Sequence, residues 1–206
     1  MVQKYGDCIL YERFRLRKSR EIREDRENGI GPFREAHGDY RFSICKNEEQ
    51  DFGFLAVTES ATGEARGSTE LLSCYSNLES VDMSAWKRVG PDFNSHHTKE
   101  QLVTGILAVE AKCTDPTKIE EYNSWYNGVH VPDMLGTGLY HSAFRFQNVT
   151  PSSDRGDYLA IYETDINPER AKQTFLDAFR PKWIETGRVI DTMKLVSAIG
   201  FDAVPP

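Results

Sequence analysis

A chain of 206 residues, 39% of them apolar, is long enough for one large domain or two small ones. Its net charge of −7 argues against nucleic acid as the main partner, because phosphate binding needs a basic face. No segment approaches the roughly 20 apolar residues of a membrane span, and the first residues, MVQKYGDC, lack the apolar stretch of a signal peptide. The four cysteines are far apart and form no CxxC pair, so we expect buried free thiols, no metal site and a cytoplasmic location.

The first 90 residues predict a unit whose elements are weakly marked. It contains two strand-like segments, an extra or displaced strand and a short helix, near residues 38–42, 54–60, 69–76 and 82–89 respectively. The residues that follow are polar and interrupted by Pro91, which predicts a linker over residues 91–101. We therefore divide the chain into a first unit, residues 1–90, and a second unit, residues 102–206.

The second unit has a clearer order of elements. Asp115 and Pro116 predict the start of a helix, because Asp caps helices and Pro suits their first turn. Apolar residues then recur at three- and four-residue spacing up to Val129, and we expect this helix to end before Pro132. A second helix is predicted to begin at Asn167-Pro168. With strands predicted at 102–112, 139–146, 158–163 and 189–198, the order is β-α-β-β-α-β, that of a ferredoxin-like unit.

The first unit repeats parts of the second in the same order, which predicts an internal duplication. The matching segments are 28–32 with 127–132, 38–42 with 138–142, and 54–60 with 158–164. A four-stranded sheet with helices on one face leaves its other face apolar, and two such units can bury these faces against each other. We therefore expect an α+β fold in which two ferredoxin-like repeats, fused in one chain, form a pseudo-dimeric α+β barrel.

One motif of the second unit is similar to that of a known family. It reads WYxxVHxPD at residues 125–133 and precedes a strand that ends in Phe-Arg-Phe at 144–146. The motif resembles the EthD-like branch of the dimeric α+β barrel superfamily, over about residues 102–198. The resemblance implies the barrel fold but no single reaction, because the relatives include cyclases, isomerases, dehydratases, monooxygenases and haem-binding peroxidase-like proteins.

His130 is the first candidate catalytic residue within this motif. Its unperturbed pKa lets it act as acid or base near neutrality, and a helix end would favour its charged form. The alternative is a histidine that only caps helix carbonyls. Tyr126 could donate a proton, Trp125 could line a pocket for a flat ring, and Asn123 lies two turns before His130 on the same expected side. Asp133 is expected to cap the next turn, with orientation of His130 as its alternative.

Residues of the next predicted strand offer a choice between two faces. Tyr140 and His141 are neighbours and must point to opposite faces, and Arg145 shares the parity of His141. If Tyr140, Phe144 and Phe146 face the helices, His141 and Arg145 enter the barrel interior and could hold a carboxylate, phenolate or enolate. If the faces are reversed, both are surface residues.

Further candidate residues lie on other elements. Tyr162 and Glu163 alternate in the same way, so that either a tyrosine or a carboxyl group of raised pKa enters the cavity. His37 and Tyr40 of the first unit could complete the opposite wall. The two histidines at 96–97 lie in the predicted linker, and the sequence places no further metal ligands beside them.

These residues lead to three functional hypotheses. The first is a cofactor-independent lyase or isomerase, of cyclase or dehydratase type, acting on an aromatic or apolar carbonyl compound. In it His130 moves a proton, while Tyr126 and either Arg145 or His141 hold the developing oxyanion. The second is a haem-binding protein with His130 or His141 as axial ligand. The third is a non-enzymatic small-molecule carrier. We expect no nucleic-acid or membrane partner, and the sequence leaves homo-oligomerisation open.

Overall fold

The computed structural model describes residues 5–16, 42–46, 54–59, 78–95, 102–149 and 154–203. The strands of the first unit are β1 (Cys8–Leu16), β2 (Phe42–Lys46), β3 (Phe54–Glu59) and β4 (Leu78–Arg88), and the short β5 (Phe93–Asn94) follows within the predicted linker. Those of the second unit are β6 (Gly105–Cys113), β7 (Ser142–Asn148), β8 (Tyr158–Thr164) and β9 (Met193–Ala203). The strand predicted at 69–76 lies outside the described residues.

Two helices lie between the strands of the second unit, α1 over residues 116–136 and α2 over residues 168–185. Their predicted caps are confirmed. The backbone N–H of Thr117 donates to Asp115 Oδ1 at 2.9 Å, and Asn167 Oδ1 accepts the backbone N–H three residues later at 2.9 Å. These bonds satisfy amide groups that the first turn of a helix leaves free. No helix among the described residues is long and apolar enough to cross a membrane.

Each helix contains a π turn immediately before an α-helical segment that carries a proline in its first turn. In α1 the π turn covers Tyr126–His130 and Pro132 follows. In α2 it covers Phe175–Phe179 and Pro181 follows. A π turn is a helical turn closed by a hydrogen bond between residues five apart, so it contains one residue more than an α-helical turn. Such turns are frequent at functional sites.

The π turn explains why α1 does not end at Pro132. The backbone N–H of Val131 donates to the carbonyl oxygen of Tyr126, five residues back, so the regular hydrogen-bond pattern has already changed when the chain reaches the proline. Pro132 then occupies the first turn of a new α-helical segment, where its missing N–H costs little. The prediction that the helix ends before Pro132 is therefore wrong, and α1 continues to Gly136.

The nine strands form one antiparallel sheet in the order β4-β1-β3-β2-β9-β6-β8-β7-β5, and a further pairing between β4 and β7 closes it into a barrel. Within each unit the strands follow the same order, fourth-first-third-second, which is that of a ferredoxin-like repeat. The two units meet through β2 with β9 and through β4 with β7, so the joins are equivalent. The predicted fold class, two fused ferredoxin-like repeats in a pseudo-dimeric α+β barrel, is confirmed.

Strand register supports the duplication. Ile9 of β1 pairs with Glu59 of β3, and Ile106 of β6 pairs with Glu163 of β8, in the same relation. β3 and β8 therefore align as the sequence predicts. The predicted match between β2 and β7 is wrong by one residue. Phe42 pairs with Thr58, and the equivalent pair in the second repeat is Ala143 with Tyr162. Phe42 is therefore equivalent to Ala143, whereas the sequence alignment placed it opposite Ser142.

β4 corrects a prediction for the first unit. The segment near Asp82–Val89, predicted as a short helix, lies in the fourth strand of the first repeat. Ser84 and Trp86 point into the barrel, and Ala85 between them points outward, as strand geometry requires. Pairing with β1 on one side and β7 on the other gives this segment hydrogen bonds that an isolated short helix would lack.

Buried apolar side chains form two clusters, one on each face of the curved sheet. The barrel interior contains Tyr5, Ile9, Tyr11, Leu55, Val57, Trp86, Ile106, Ala108, Phe144, Phe146, Leu159, Ile161 and Phe201. The layer between the sheet and the helices contains Leu107, Val109, Tyr122, Tyr126, Val131, Met134, Tyr140, Ala143, Tyr158, Ala160, Tyr162 and Ala171. The second layer is rich in tyrosines, each of which brings a hydroxyl group into the core.

One mouth of the barrel is filled by an ionic network. Arg155 Nη1 lies 2.7 Å from Asp82 Oδ2, and its Nε lies 3.5 Å from Glu110 Oε2. Arg13 bonds the same Asp82 and approaches Glu110 at 4.0 Å. Arg155 Nη2 also donates to Ser84 Oγ at 2.6 Å. Both arginines of this network are thus matched by carboxylates.

Candidate functional site

β7 presents alternate side chains to the two faces of the sheet. Phe144 and Phe146 are buried in the barrel interior, whereas Arg145 points toward α1 and is also fully buried. The hypothesis that Arg145 faces the barrel interior is therefore wrong. Tyr140 lies in the helix-facing layer as well, because β7 begins only at Ser142 and the alternation does not extend back across the bend.

The guanidinium of Arg145 lies between α1 and the sheet among amides and aromatic rings. Nη1 donates to Asn127 Oδ1 at 2.6 Å, and Nη2 donates to Asn123 Oδ1 at 2.9 Å. Its Cζ lies 4.0 Å from the ring centre of Tyr126 and 5.5 Å from that of Tyr158. Each such cation–π contact contributes about 0.5–2 kcal/mol. Asn123 also donates to the hydroxyl of Tyr158 at 3.1 Å, which turns its amide oxygen toward Arg145.

Asn123 and His130 contact different groups, contrary to the expectation that they share a side of the helix. In a regular α-helix seven residues make about two turns. The π turn adds one residue between them, which corresponds to about 100° of rotation. Asn123 consequently aligns with Asn127 toward Arg145, while His130 turns toward Trp183 of α2.

His130 lies within an aromatic cage. Its ring stacks on Trp125 at 5.0 Å between ring centres, and meets the edges of Tyr126 at 4.7 Å and Trp183 at 5.8 Å. Burial lowers the pKa of His130 from 6.5 to about 4, and the positive charge of Arg145 acts in the same direction. The imidazole is therefore neutral at neutral pH. The expected charged form is wrong, because α1 continues past His130 and offers no helix end there.

Tyrosine hydroxyls line the same layer and stay protonated. The hydroxyl of Tyr162 donates to that of Tyr126 at 3.4 Å. Burial raises the pKa of Tyr126, although Arg145 opposes the shift, and burial raises the pKa of Tyr162 further. The buried hydroxyls of Tyr122 and Tyr140 have no hydrogen-bond partner among the described residues. The layer therefore contains hydroxyl groups that a ligand could engage.

Some predicted site residues lie elsewhere. His141 Nδ1 lies 3.3 Å from Ser142 Oγ, which donates to the buried carboxylate of Glu163. Burial lowers the pKa of His141. In the described ranges no contact joins His141 to the cage of His130 or to Arg145, so these candidates are not assembled into one site. The candidates His37 and Tyr40, together with the histidines at 96–97, lie outside the described residues.

The structure adds residues that the sequence hypotheses omit. Asn127 follows Asn123 by one helical turn, and Tyr158 shares a strand face with Tyr162, so both spacings were visible in the sequence. Trp183, which is not among the candidates named from the sequence, packs on Phe175 in α2. Its contact with the imidazole joins α2 to α1, and no local pattern indicates such a long-range contact.

A bond across the two helices lies at the edge of the cage. Arg188, which follows α2, donates from Nη2 to Asp133 Oδ1 at 2.6 Å, and its carbonyl oxygen accepts the indole N–H of Trp125 at 3.1 Å. Both carboxylate oxygens of Asp133 bond Arg188. This differs from the two roles predicted for Asp133, capping a turn and orienting His130.

The packing around the histidines bears on the cofactor hypotheses. His130 is half-buried, with Trp125, Tyr126 and Trp183 against its ring. The expectation of no cofactor, with haem as the alternative, stays a prediction. In the described parts of the chain no three His, Cys, Asp or Glu side chains are grouped as metal ligands. Cys8 and Cys113 are free thiols, each partly buried.

Comparison with known proteins gives little sequence similarity. No family model matches the chain. A curated protein, core atranone cluster protein 1 of Stachybotrys chlorohalonatus, is 41% identical over 61 residues, which are 29% of this chain and 26% of that protein. The match therefore spans about a quarter of the curated relative.

Similarity to solved structures is far more extensive. A mutant chlorite dismutase from Candidatus Nitrospira defluvii has a TM-score of 0.62 at 10% identity, covering 98% of this chain and 93% of that one. An anthrone oxidase-like protein has a TM-score of 0.58 at 8% identity, with coverage of 96% and 91%. A dye-decolorizing protein from V. cholerae has a TM-score of 0.58 at 10% identity, with coverage of 98% and 95%. At these identities the similarity shows the fold alone, and this fold is the dimeric α+β barrel that the motif at 125–133 implies.

Proposed function

We propose that the protein is a cofactor-independent enzyme that moves a proton on an aromatic or apolar carbonyl compound, in a lyase or isomerase reaction. His130 takes the proton from a carbon next to the carbonyl group. Arg145 and the hydroxyl of Tyr126 stabilise the enolate or phenolate that forms. The proton then returns to another atom of the same molecule, or a leaving group departs.

The observation that carries this proposal is a neutral imidazole next to a buried cation. Burial lowers the pKa of His130 to about 4, so at neutral pH the imidazole is neutral and has a nitrogen lone pair that can take a proton from the substrate. Its neighbour Tyr126 lies between it and Arg145, at 4.7 Å from the imidazole and 4.0 Å from the guanidinium carbon. A fixed positive charge in a buried layer stabilises developing negative charge more strongly than it would in water. The proposed base, His130, and the groups proposed to stabilise the negative charge, Arg145 and Tyr126, thus lie in the same layer between the sheet and the helices.

The comparisons support a small organic substrate. The curated relative is named for an atranone cluster, and a structural neighbour is named for an oxidase of anthrone, an aromatic ketone. The tyrosine-rich layer offers flat apolar surfaces for such a ring system.

Anthrone provides a direct assay, because its enol is a phenol and its methylene hydrogens exchange through the enolate. We expect the protein to accelerate exchange of these hydrogens in D2O, measured by proton NMR under nitrogen. His130→Gln should slow the enzymatic exchange by about 10²–10⁴-fold, the usual contribution of a general base. Ser124→Ala, an exposed position on the same helix, serves as the matched control and should keep the rate.

Three outcomes would contradict the proposal. Equal rates for wild type and His130→Gln would remove His130 from the reaction. A Soret band after addition of haem, lost in His130→Gln, would favour a haem protein. Binding of anthrone and of 2-tetralone, detected by thermal shift, without exchange of either would favour a carrier.

A further inference from the structure

Arg145 is a fully buried cation whose hydrogen-bond partners are neutral. Its relative exposure is 0%, and a guanidinium group carries a positive charge. The two groups that bond it are the side-chain oxygens of Asn123 and Asn127. No carboxylate bonds Arg145 in the part of the chain that the structure describes. Buried charges are ordinarily paired, because burying an unpaired one costs several kcal/mol, of the order of the penalty per ion in protein interiors.

The titratable neighbours of Arg145 do not supply the missing negative charge. Burial raises the pKa of Tyr126 and of Tyr122, so both phenols stay neutral. His130 is neutral as well. The layer around Arg145 therefore has a net charge of about one positive unit, partly offset by the faces of the tyrosine rings.

The two asparagines imitate the geometry of a carboxylate without its charge. They are one helical turn apart and place one oxygen on each Nη atom, as the two oxygens of a bidentate carboxylate do. The third donor, Nε, is buried and has no hydrogen-bond partner. The guanidinium is thus held in place by neutral acceptors while its charge, and one of its donors, remain available.

We propose that the layer around Arg145 binds its ligand as a planar aromatic oxyanion, a phenolate or the enolate of an aryl ketone. The oxyanion supplies the negative charge that Arg145 lacks, and the ring lies among Tyr122, Tyr126 and Tyr158. A neutral ring compound of the same size binds more weakly. This inference rests on the proposed function, since it concerns the same site and names the ionic form of its ligand.

4-Nitrophenol tests the inference, because its phenolate is yellow and its phenol is colourless. We expect excess protein to increase the yellow form at a pH near half-ionisation. The phenolate should bind at least about tenfold more tightly than the phenol, which lowers the apparent pKa of the bound dye by about one unit. Arg145→Gln should remove this shift. Asn127→Asp should remove it too, because it gives Arg145 a carboxylate of nearly the same shape.

The variants separate this inference from the proposed function. His130→Gln removes the base but not the cation, so it should keep the colour shift even though it loses hydrogen exchange. A wild type that shows no binding, or that binds phenol and phenolate equally, would overturn the inference, whether or not it catalyses exchange. A shift that survives in Asn127→Asp, a variant that keeps Arg145, would overturn it as well. Circular dichroism of each variant verifies that it is folded.

Discussion

Two buried arginines on opposite faces of one sheet have contrasting surroundings. Arg155, inside the barrel, bonds the carboxylate of Asp82 and lies 3.5 Å from Glu110. Arg145, between the sheet and α1, bonds two asparagine oxygens. Both lie over aromatic rings, Arg155 at 5.3 Å from that of Tyr11, so the apolar contacts are alike and the counter-charges differ. Loss of one partner of a buried ion pair destabilises the fold, and Arg145 has no such partner among the described residues.

The largest expected effect is on stability. Arg155→Met leaves Arg13 as the one remaining cation of this network beside Asp82 and Glu110, and should lower the free energy of unfolding by about 3 kcal/mol. Arg145→Met has no ion pair to break and should cost less, because removal of an unpaired buried charge offsets the loss of its hydrogen bonds and ring contacts. Urea unfolding of both variants at one pH measures the difference. Equal losses would mean that Arg145 is a structural residue like Arg155.

A smaller effect concerns pH, because Arg145 helps to keep His130 neutral. The pKa of His130 is lowered from 6.5 to about 4 in the folded protein. Between about pH 6.5 and pH 4 the unfolded chain therefore binds a proton at His130 that the folded chain does not bind. Stability linked to His130 is therefore fully present above pH 6.5 and is lost as the pH falls toward 4, by about 2.5 kcal/mol at pH 4.5. Unfolding of wild type and His130→Gln at pH 7 and pH 4.5 isolates this contribution. If both proteins lost the same unfolding free energy between pH 7 and pH 4.5, a contribution of His130 would be excluded.

The smallest effect concerns the hydrogen bond between Asn127 and Arg145. Gly90 has φ of +92°, and a Cβ there would lie 3.1 Å from Asn127 Oδ1, the atom that accepts from Arg145. Gly138, with φ of +74° and open space around it, is the matched control. Both substitutions by Ala should cost about 1–2 kcal/mol of backbone strain. Gly90→Ala should cost about 1 kcal/mol more, since it also displaces a hydrogen bond to a charged group. Identical unfolding midpoints would show that Asn127 is not held tightly.

The fold follows from the sequence more completely than the site does. Alternation and capping residues such as Asp115 and Asn167 predict the second repeat because these signals are local. The face on which Arg145 lies was not predictable, because aromatic side chains can fill either apolar layer. A bend before Ser142 also places Tyr140 in the helix-facing layer while Phe144 and Phe146 face the barrel interior. Pairing of Asn127 with Arg145 and of Trp183 with His130 joins separate elements, which no local pattern specifies.

The first repeat was harder to predict for a related reason. Its segment at 82–89 has no isolated strand signal, and only pairing with β1 and β7 makes it a strand. Pro132 led to the wrong prediction that α1 ends there, because a proline ordinarily marks a helix end. Periodicity alone did not indicate the π turn that removes the conflict.

The π turn in α1 also affects how this chain should be aligned with relatives. It contains one residue more than a regular α-helical turn. Residues before and after it that would share a face of a regular helix therefore point in different directions. A relative that lacks the extra residue would need a one-residue gap within Tyr126–His130. Without that gap, its histidine would be matched to a position rotated by about 100°. The direction in which α1 presents His130 is therefore determined by an insertion as much as by the amino acids that the helix carries.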